Sequence, residues 1–152
     1  MNKKTLLAIT NILGLCIVIG AVTLALVNHN QWMGPVLIGL GILCLLSLIP
    51  FKVRVAAAGP DIVFGIIDNG ILAIMAIFGG HFGGIAGAVL GGVVGNAVTD
   101  GIAGIFEGYI AEKFDTHDLS NHRTLLKSAV GKMAGCLLSA GAVLAVAGIF
   151  GW

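Results

Sequence analysis

The chain has 152 residues, of which 58% are hydrophobic and only 10% are charged, whereas a soluble domain of this size needs about a quarter of its residues charged to cover its surface. Eight Lys and Arg against seven Asp and Glu leave a net charge of +1, too small for a protein that binds DNA or RNA. Together with a mean hydropathy of +1.07, these values exclude a soluble or disordered chain and indicate an all-α, polytopic membrane protein whose main partner is the lipid bilayer.

Five apolar stretches are long enough, or nearly so, to cross a hydrocarbon core of ~30 Å, which takes roughly 20 residues in a helix. Pro35 and Pro50 delimit the short second stretch, and Pro60 stands just before the third. We therefore predict a single transmembrane domain over residues 1–152, built as a five-helix bundle. The predicted helices cover about residues 5–27, 35–49, 61–78, 82–114 and 124–150.

The basic residues predict how these helices are oriented. With the N-terminus in the cytoplasm, six of the eight Lys and Arg fall in the cytoplasmic segments 1–4, 51–60 and 113–124. Lys127 and Lys132 follow in the first turns of the last helix, from which long side chains can reach the same side. The loops on the opposite side have none. The positive-inside rule thus predicts a cytoplasmic N-terminus, with the C-terminus across the membrane.

Small residues recur every four positions along the fourth predicted helix. Such rows allow two helix backbones to approach closely, as in the GxxxG motif. They predict that this helix is the centre of the bundle, the interface of a homodimer, or both. One row consists of Gly83, Gly87, Gly91 and Gly95, and its neighbour of Gly84, Ala88, Gly92, Asn96, Asp100, Gly104 and Gly108.

Ionisable side chains at membrane depth are the candidates for function, because each costs roughly 2.5–3.5 kcal/mol on insertion scales. Asp68 lies near the centre of the third predicted helix, and Asn69 follows it. Asp61 lies seven residues earlier, which places it on the same helical face as Asp68.

The fourth predicted helix has a second polar face. Asn96, Asp100 and Glu107 are spaced so that they share one side of it. The short turn 79–84 joins this helix to the third, so the two must be antiparallel neighbours whose acidic faces can converge. We predict a metal or proton path formed by Asp68 together with these three residues.

Carboxylate and amide oxygens suit a hard or borderline divalent cation, or a proton relay. Met75, two turns from Asp68, would add a soft ligand, although ordinary packing also explains it. His117 and His122, in a cytoplasmic loop, would collect metal ions at a pore entrance, although a solvated loop also accounts for them. The polar groups could alternatively hydrogen-bond one another and only lock the bundle together.

The remaining motifs point away from catalysis. Three cysteines, Cys16, Cys44 and Cys136, each lie in an apolar run without the spacing of a zinc site, and we interpret them as small apolar fillers. The sequence contains no phosphate-binding loop, no dinucleotide fingerprint and no paired nucleophile and base. We therefore expect no enzymatic activity and no permanently bound cofactor.

The third and fourth predicted helices, about residues 60–114, resemble the vacuolar iron transporter (VIT) family. Residues 61–71 are similar to that family's first helix, in which an Asp, a Phe-Gly pair and an Asp-Gly pair recur; here these are Asp61, Phe64-Gly65 and Asp68-Asn69-Gly70. Residues 96–113 are similar to its second helix, in which Asn or Glu, a small-Gly pair and an acidic-Tyr end recur; here these are Asn96, Asp100-Gly101 and Glu107-Gly108-Tyr109.

The resemblance implies a homodimer that exchanges ferrous iron for protons. By this similarity Asp68 would be the central carboxylate, Asn96 would match a position that is often acidic, and Glu107 would stand at the cytoplasmic mouth. The chain departs from the family at Gly104, where the family has a membrane Met, and in having two helices before this unit and one after it.

Our expectation is a homodimeric membrane protein that transports or binds a divalent metal ion, Fe²⁺ or Mn²⁺, with proton coupling. The alternative is a non-transporting scaffold or assembly subunit that packs against a partner through its small-residue helices.

Overall fold

A computed structural model describes the backbone of residues 3–26, 30–113 and 124–151, and the side chains of residues 3–25, 32–105 and 124–151. Within these residues the secondary structure is helical and contains no strand, so the all-α prediction is confirmed. Two short 3₁₀ turns, Ile49–Phe51 and Val55–Ala58, connect the second helix to the third. The long helices are α1 (Lys3–Leu26), α2 (Asn30–Leu46), α3 (Gly59–Lys113) and α4 (Leu125–Ile149).

The described chain has four helices that are long and apolar enough to cross a membrane. Large apolar side chains cover its outer surface: Ile17 is 72% exposed, Leu24 76% and Ile85 87%. A surface of this kind is unfavourable in water and suits contact with lipid. The number of membrane passages and their orientation stay predictions.

The prolines delimit α2 differently from the prediction. The helix begins at Asn30 and includes Pro35, so the expected start at Pro35 is wrong. It ends at Leu46, before the expected Ile49. The ring of a proline clashes with the carbonyl four residues earlier, and for Pro50 that residue is Leu46.

Helix α3 reverses direction at a single residue, Gly84. Its backbone there has φ 57° and ψ −143°, a conformation that is readily accessible only to glycine. Residues 59–83 form what we call the first arm and residues 85–113 the second arm. The expected turn over 79–84 is therefore wrong in extent, because residues 79–83 continue the first arm as helix.

The two arms are antiparallel neighbours, as predicted. Positions progressively earlier in the first arm face positions progressively later in the second: Gly79 faces Gly87, Met75 faces Gly91, and Leu72 faces Gly95. The second arm lies at the edge of the bundle, and most of its large apolar side chains are exposed. The described residues of this arm are thus not the centre of the bundle in the single chain, and the alternative, a homodimer interface, stays a prediction.

The central helix is α4, which packs against α1, α2 and α3. Thr124 caps its N-terminus by accepting a hydrogen bond from the Lys127 backbone N–H at 3.4 Å, within a residue of the predicted start. Glycines make its contacts close: Gly141 faces the backbone of Gly34 in α2, and Gly135 faces Gly65 in the first arm. Glycines of α4 therefore contribute to the core of the bundle.

Candidate functional site

The glycine row of the second arm, Gly87, Gly91 and Gly95, sets the close approach of the two arms that flank the candidate site. A methyl group added at Gly91 would collide with the backbone oxygen of Met75, and one added at Gly87 would collide with that of Gly79. The arms are therefore in backbone contact along this row, which only glycine permits. Gly83, the first member of the predicted row, has no such neighbour within 4 Å.

Following the same four-residue spacing, the row reaches Thr99, which is 5% exposed. Its hydroxyl lies 2.5 Å from Oδ1 of Asp68 on the first arm. The same hydroxyl also lies 2.9 Å from the carbonyl oxygen of Asn96. Since a hydroxyl has one proton, it donates to one of these acceptors at a time. Asp68 is thus held against the second arm by the Thr99 hydroxyl. The Asp68 carboxylate and a backbone carbonyl oxygen compete for the proton of that hydroxyl.

Asp68 and Thr99 border a pocket of about 210 Å³ between the arms. The other lining residues are apolar, so one carboxylate and one hydroxyl are its polar side chains. A charge beside such a surface interacts strongly with any cation that enters, because few water molecules compete with it. The apolar residues that line the pocket are Phe64, Ile67, Ile71, Ile102 and Ala103.

The second oxygen of Asp68 lies near the side chain of Asn69, the next residue in the chain. The side-chain nitrogen of Asn69 lies 3.3 Å from Oδ2 of Asp68 and 2.6 Å from Sγ of Cys136 on α4. Asn69 therefore links the carboxylate to a thiol of the central helix. The interpretation of Cys136 as only an apolar filler is wrong in this respect, whereas Cys44, fully buried, agrees with it.

Asp61 belongs to a separate contact. It is 2% exposed, in the first turn of the first arm, and its Oδ1 accepts a hydrogen bond of 3.1 Å from the hydroxyl of Ser128 on α4. Asp68, in contrast, contacts Thr99 and Asn69. The two acidic residues that share a face in the sequence thus meet different neighbours.

Asn96 and Asp100 bond to each other and not to Asp68. The amide nitrogen of Asn96 donates to Oδ2 of Asp100 at 2.8 Å, and Asp100 is exposed on the single chain. The predicted convergence of Asp100 with Asp68 is therefore absent from the single chain. The pocket beside Asp68 is lined by Thr99 instead of these two residues.

The weaker candidates add no further ligand to this pocket. Met75 packs its Cβ and Cγ atoms near Gly95 and is 38% exposed. The side chain of Glu107 and the residues His117 and His122 lie outside those that the structure describes. Within residues 3–26, 30–113 and 124–151, no group of three His, Cys, Asp or Glu is placed to hold a metal ion.

Thr99 and Cys136 are the site residues that the sequence reasoning missed. For Thr99 a signal was present, because the row of Gly87, Gly91 and Gly95 continues to it at the same spacing. For Cys136 there was none, since it lies in an apolar run far from Asp68 in sequence.

A scan against protein-family models, a search of curated proteins and a search of solved structures each find no match to this chain.

Proposed function

We propose that this chain is a multi-pass membrane protein that binds or transports a divalent cation such as Fe²⁺ or Mn²⁺, with Asp68 as the central carboxylate. The observation that supports the proposal is the half-buried Asp68 beside the pocket between the arms of α3. In this proposal the helices cross a cell membrane, the inner membrane if the source is bacterial, with the N-terminus in the cytoplasm.

The pocket has the size that such a cation needs. Its volume of about 210 Å³ compares with about 30 Å³ for each water molecule in the liquid. A cation could therefore enter with part of its hydration shell and exchange a few waters for protein oxygens. Oδ1 of Asp68 and the hydroxyl of Thr99 would supply these oxygens.

Proton coupling is also part of the proposal and would use the same carboxylate. A proton and a metal ion compete for the same carboxylate oxygens, so the two would alternate at Asp68. Exchange of one for the other is the coupling that the resemblance implies.

A homodimer is part of the proposal. The pair formed by Asn96 and Asp100 is exposed, and exposed apolar side chains such as Val93 and Val98 surround it. In a membrane this surface is costly against lipid, and a second copy of the chain could cover it with the same amide and carboxylate. In that arrangement Asp100 and Glu107 would complete the path.

The test is metal uptake into proteoliposomes. Asp68→Asn keeps the size of the side chain and removes its charge, so we expect it to abolish uptake of Fe²⁺ and Mn²⁺ while the protein still folds. Glu112→Gln makes the same chemical change near the end of the second arm, and we expect a much smaller effect. If Asp68→Asn transports as well as the parent protein, the transporter proposal is wrong.

The scaffold remains the second candidate, and one observation favours it. Among the described residues, no buried side-chain nitrogen or oxygen lacks a hydrogen-bond partner. A network in which every member is satisfied can serve to fix the helix arrangement alone. In that case Asp68→Asn would lower the melting temperature, and neither the parent protein nor the variant would take up metal.

A further inference from the structure

A cavity of about 430 Å³ lies at one end of the bundle, where the first two turns of α1 and the start of α4 meet the link between α2 and α3. It has about twice the volume of the pocket between the arms of α3. Lys4, Thr5 and Thr124 give it polar side chains, whereas its other lining residues, such as Leu7 and Phe51, are apolar. One cation and two hydroxyls thus lie beside an apolar wall.

The lining of this cavity follows the order of a lipid molecule, from headgroup to acyl chain. Helix α1 has 24 residues and is therefore about 36 Å long, which exceeds a hydrocarbon core of ~30 Å. Its first turn holds Lys4 and Thr5 and reaches the headgroup region when the helix spans the membrane. Leu7 and Ala8 follow in the next turn, toward the hydrocarbon. A headgroup therefore meets the polar part of the cavity, and an acyl chain meets the apolar part.

The charges at this end of the bundle favour an anion. Residues 26–34, 79–86 and 149–152, at the opposite end, contain no Lys or Arg. Among the described side chains at the basic end, the carboxylate is that of Asp61, which is 2% exposed and accepts a hydrogen bond from Ser128. Several Lys and Arg side chains close together attract anionic lipid headgroups. The described basic residues at this end are Lys3, Lys4, Lys52, Arg54 and Lys127.

We propose that this cavity binds an anionic phospholipid, with Lys4 as the cation that contacts the phosphate. The hydroxyls of Thr5 and Thr124 donate hydrogen bonds to the phosphate oxygens. Thr124 can do so while it caps α4, because its oxygen accepts from the Lys127 backbone N–H and the hydroxyl proton is not used in that bond. The inference rests on the membrane location in the proposed function and needs no metal ion.

Two neighbouring lysines allow the cavity to be tested separately from the general charge of this end. Both are exposed, but Lys4 lines the cavity and Lys3 does not. Consecutive residues lie about 100° apart around a helix, so the two side chains leave α1 in different directions. Lys4→Gln and Lys3→Gln therefore remove the same charge from the same turn, and only the first removes it from the cavity. Lys4→Arg keeps the charge and is the conservative variant.

Native mass spectrometry of the purified full chain in detergent measures the lipid that it binds. Dioleoyl phosphatidylglycerol is the anionic probe, and dioleoyl phosphatidylcholine, which has the same acyl chains and no net charge, is its control. We expect tighter binding of phosphatidylglycerol. Its affinity should fall by about fivefold on Lys4→Gln, the effect of one cation beside an anionic lipid surface. Lys4→Arg should keep the affinity, and Lys3→Gln should reduce it less.

Three results would overturn the inference. Equal affinity for the two lipids would show that the headgroup charge does not matter, and equal losses for Lys4→Gln and Lys3→Gln would show that the cavity does not. Displacement of phosphatidylglycerol by an equal concentration of inorganic phosphate would show that the acyl chains contribute nothing. If one of these results appears while Asp68→Asn abolishes metal uptake, only this inference is wrong. If the lipid binds as expected and no metal is taken up, the inference stands and the transporter proposal is wrong.

Discussion

Replacing Gly91 by Ala should separate the arms of α3. The added methyl carbon would meet the backbone oxygen of Met75, and it would lie 2.8 Å from the Met75 carbonyl carbon and 3.3 Å from the backbone nitrogen of Ala76. None of these atoms can rotate away, because all belong to the backbone of a helix. The arms must therefore move apart.

The size of the movement can be estimated from these distances. Carbon atoms pack at about 3.5 Å or more, so the contact with the Met75 carbonyl carbon alone requires a shift of about 0.7 Å, and the nearer oxygen requires more. A gap of 0.5–1 Å forfeits about a quarter to a half of the dispersion energy of each contact. Overpacking of this kind costs typically about 1–3 kcal/mol of unfolding free energy. A larger side chain, as in Gly91→Leu, should disrupt the fold or the oligomer.

Thermal unfolding of the purified protein in detergent, followed by circular dichroism, measures this effect. A loss of about 1–3 kcal/mol lowers the melting temperature by about 2–12 °C in a chain of this length. Gly104→Ala is the matched control on the same arm, because nothing lies within 4 Å of a methyl group there. Equal melting temperatures for the two variants would show that the arms are not in backbone contact at Gly91.

Two further predictions concern the α3–α4 contact and the topology. Ser128→Ala removes the hydroxyl that donates to buried Asp61, so unfolding free energy should fall by about 1.5–3 kcal/mol. Ser139→Ala is the control, because the Ser139 hydroxyl donates to the backbone oxygen of Cys136 in its own helix. It should lower the unfolding free energy less, and equal losses for the two variants would contradict the role given to Ser128. The topology predicts that tags at Met1 and Trp152 lie on opposite sides of the membrane. Protease added outside sealed vesicles should therefore remove one tag and leave the other. Finding both tags on one side would mean that the chain does not cross the membrane five times.

The positions of several elements could be predicted because their signals are local. A long apolar stretch favours lipid, where no water is present to hydrogen-bond the backbone. The backbone must then satisfy its own hydrogen bonds, and a helix does so without any partner segment. The row of Gly87, Gly91 and Gly95 likewise marks a helix face without side chains. A second helix from any part of the chain can approach that face closely. The helix start beside Thr124 follows from its side-chain oxygen alone.

The extent of the turn and of α2 depended on competition between local signals. Four glycines in 79–84 predicted a loop, yet three of them are helical, because only Gly84 needs the positive φ that reverses the chain. Pro35 predicted a helix start, yet α2 extends one turn and more before it. A residue that permits a break in a helix therefore does not require one.

Only the tertiary structure decided which polar side chains meet. The acidic faces predicted from the sequence could have brought Asp100 against Asp68. In the structure the glycine row places Thr99 against Asp68 instead, and Asp100 is exposed on the other side of the second arm. The contact between Asn69 and Cys136, which joins the first arm to α4, had no local signal. Every helix of this chain is apolar on most of its circumference, so hydrophobicity alone does not distinguish the face that packs from the face that meets lipid. That distinction comes from close backbone approach at the glycines, which depends on the shapes of two helices at once.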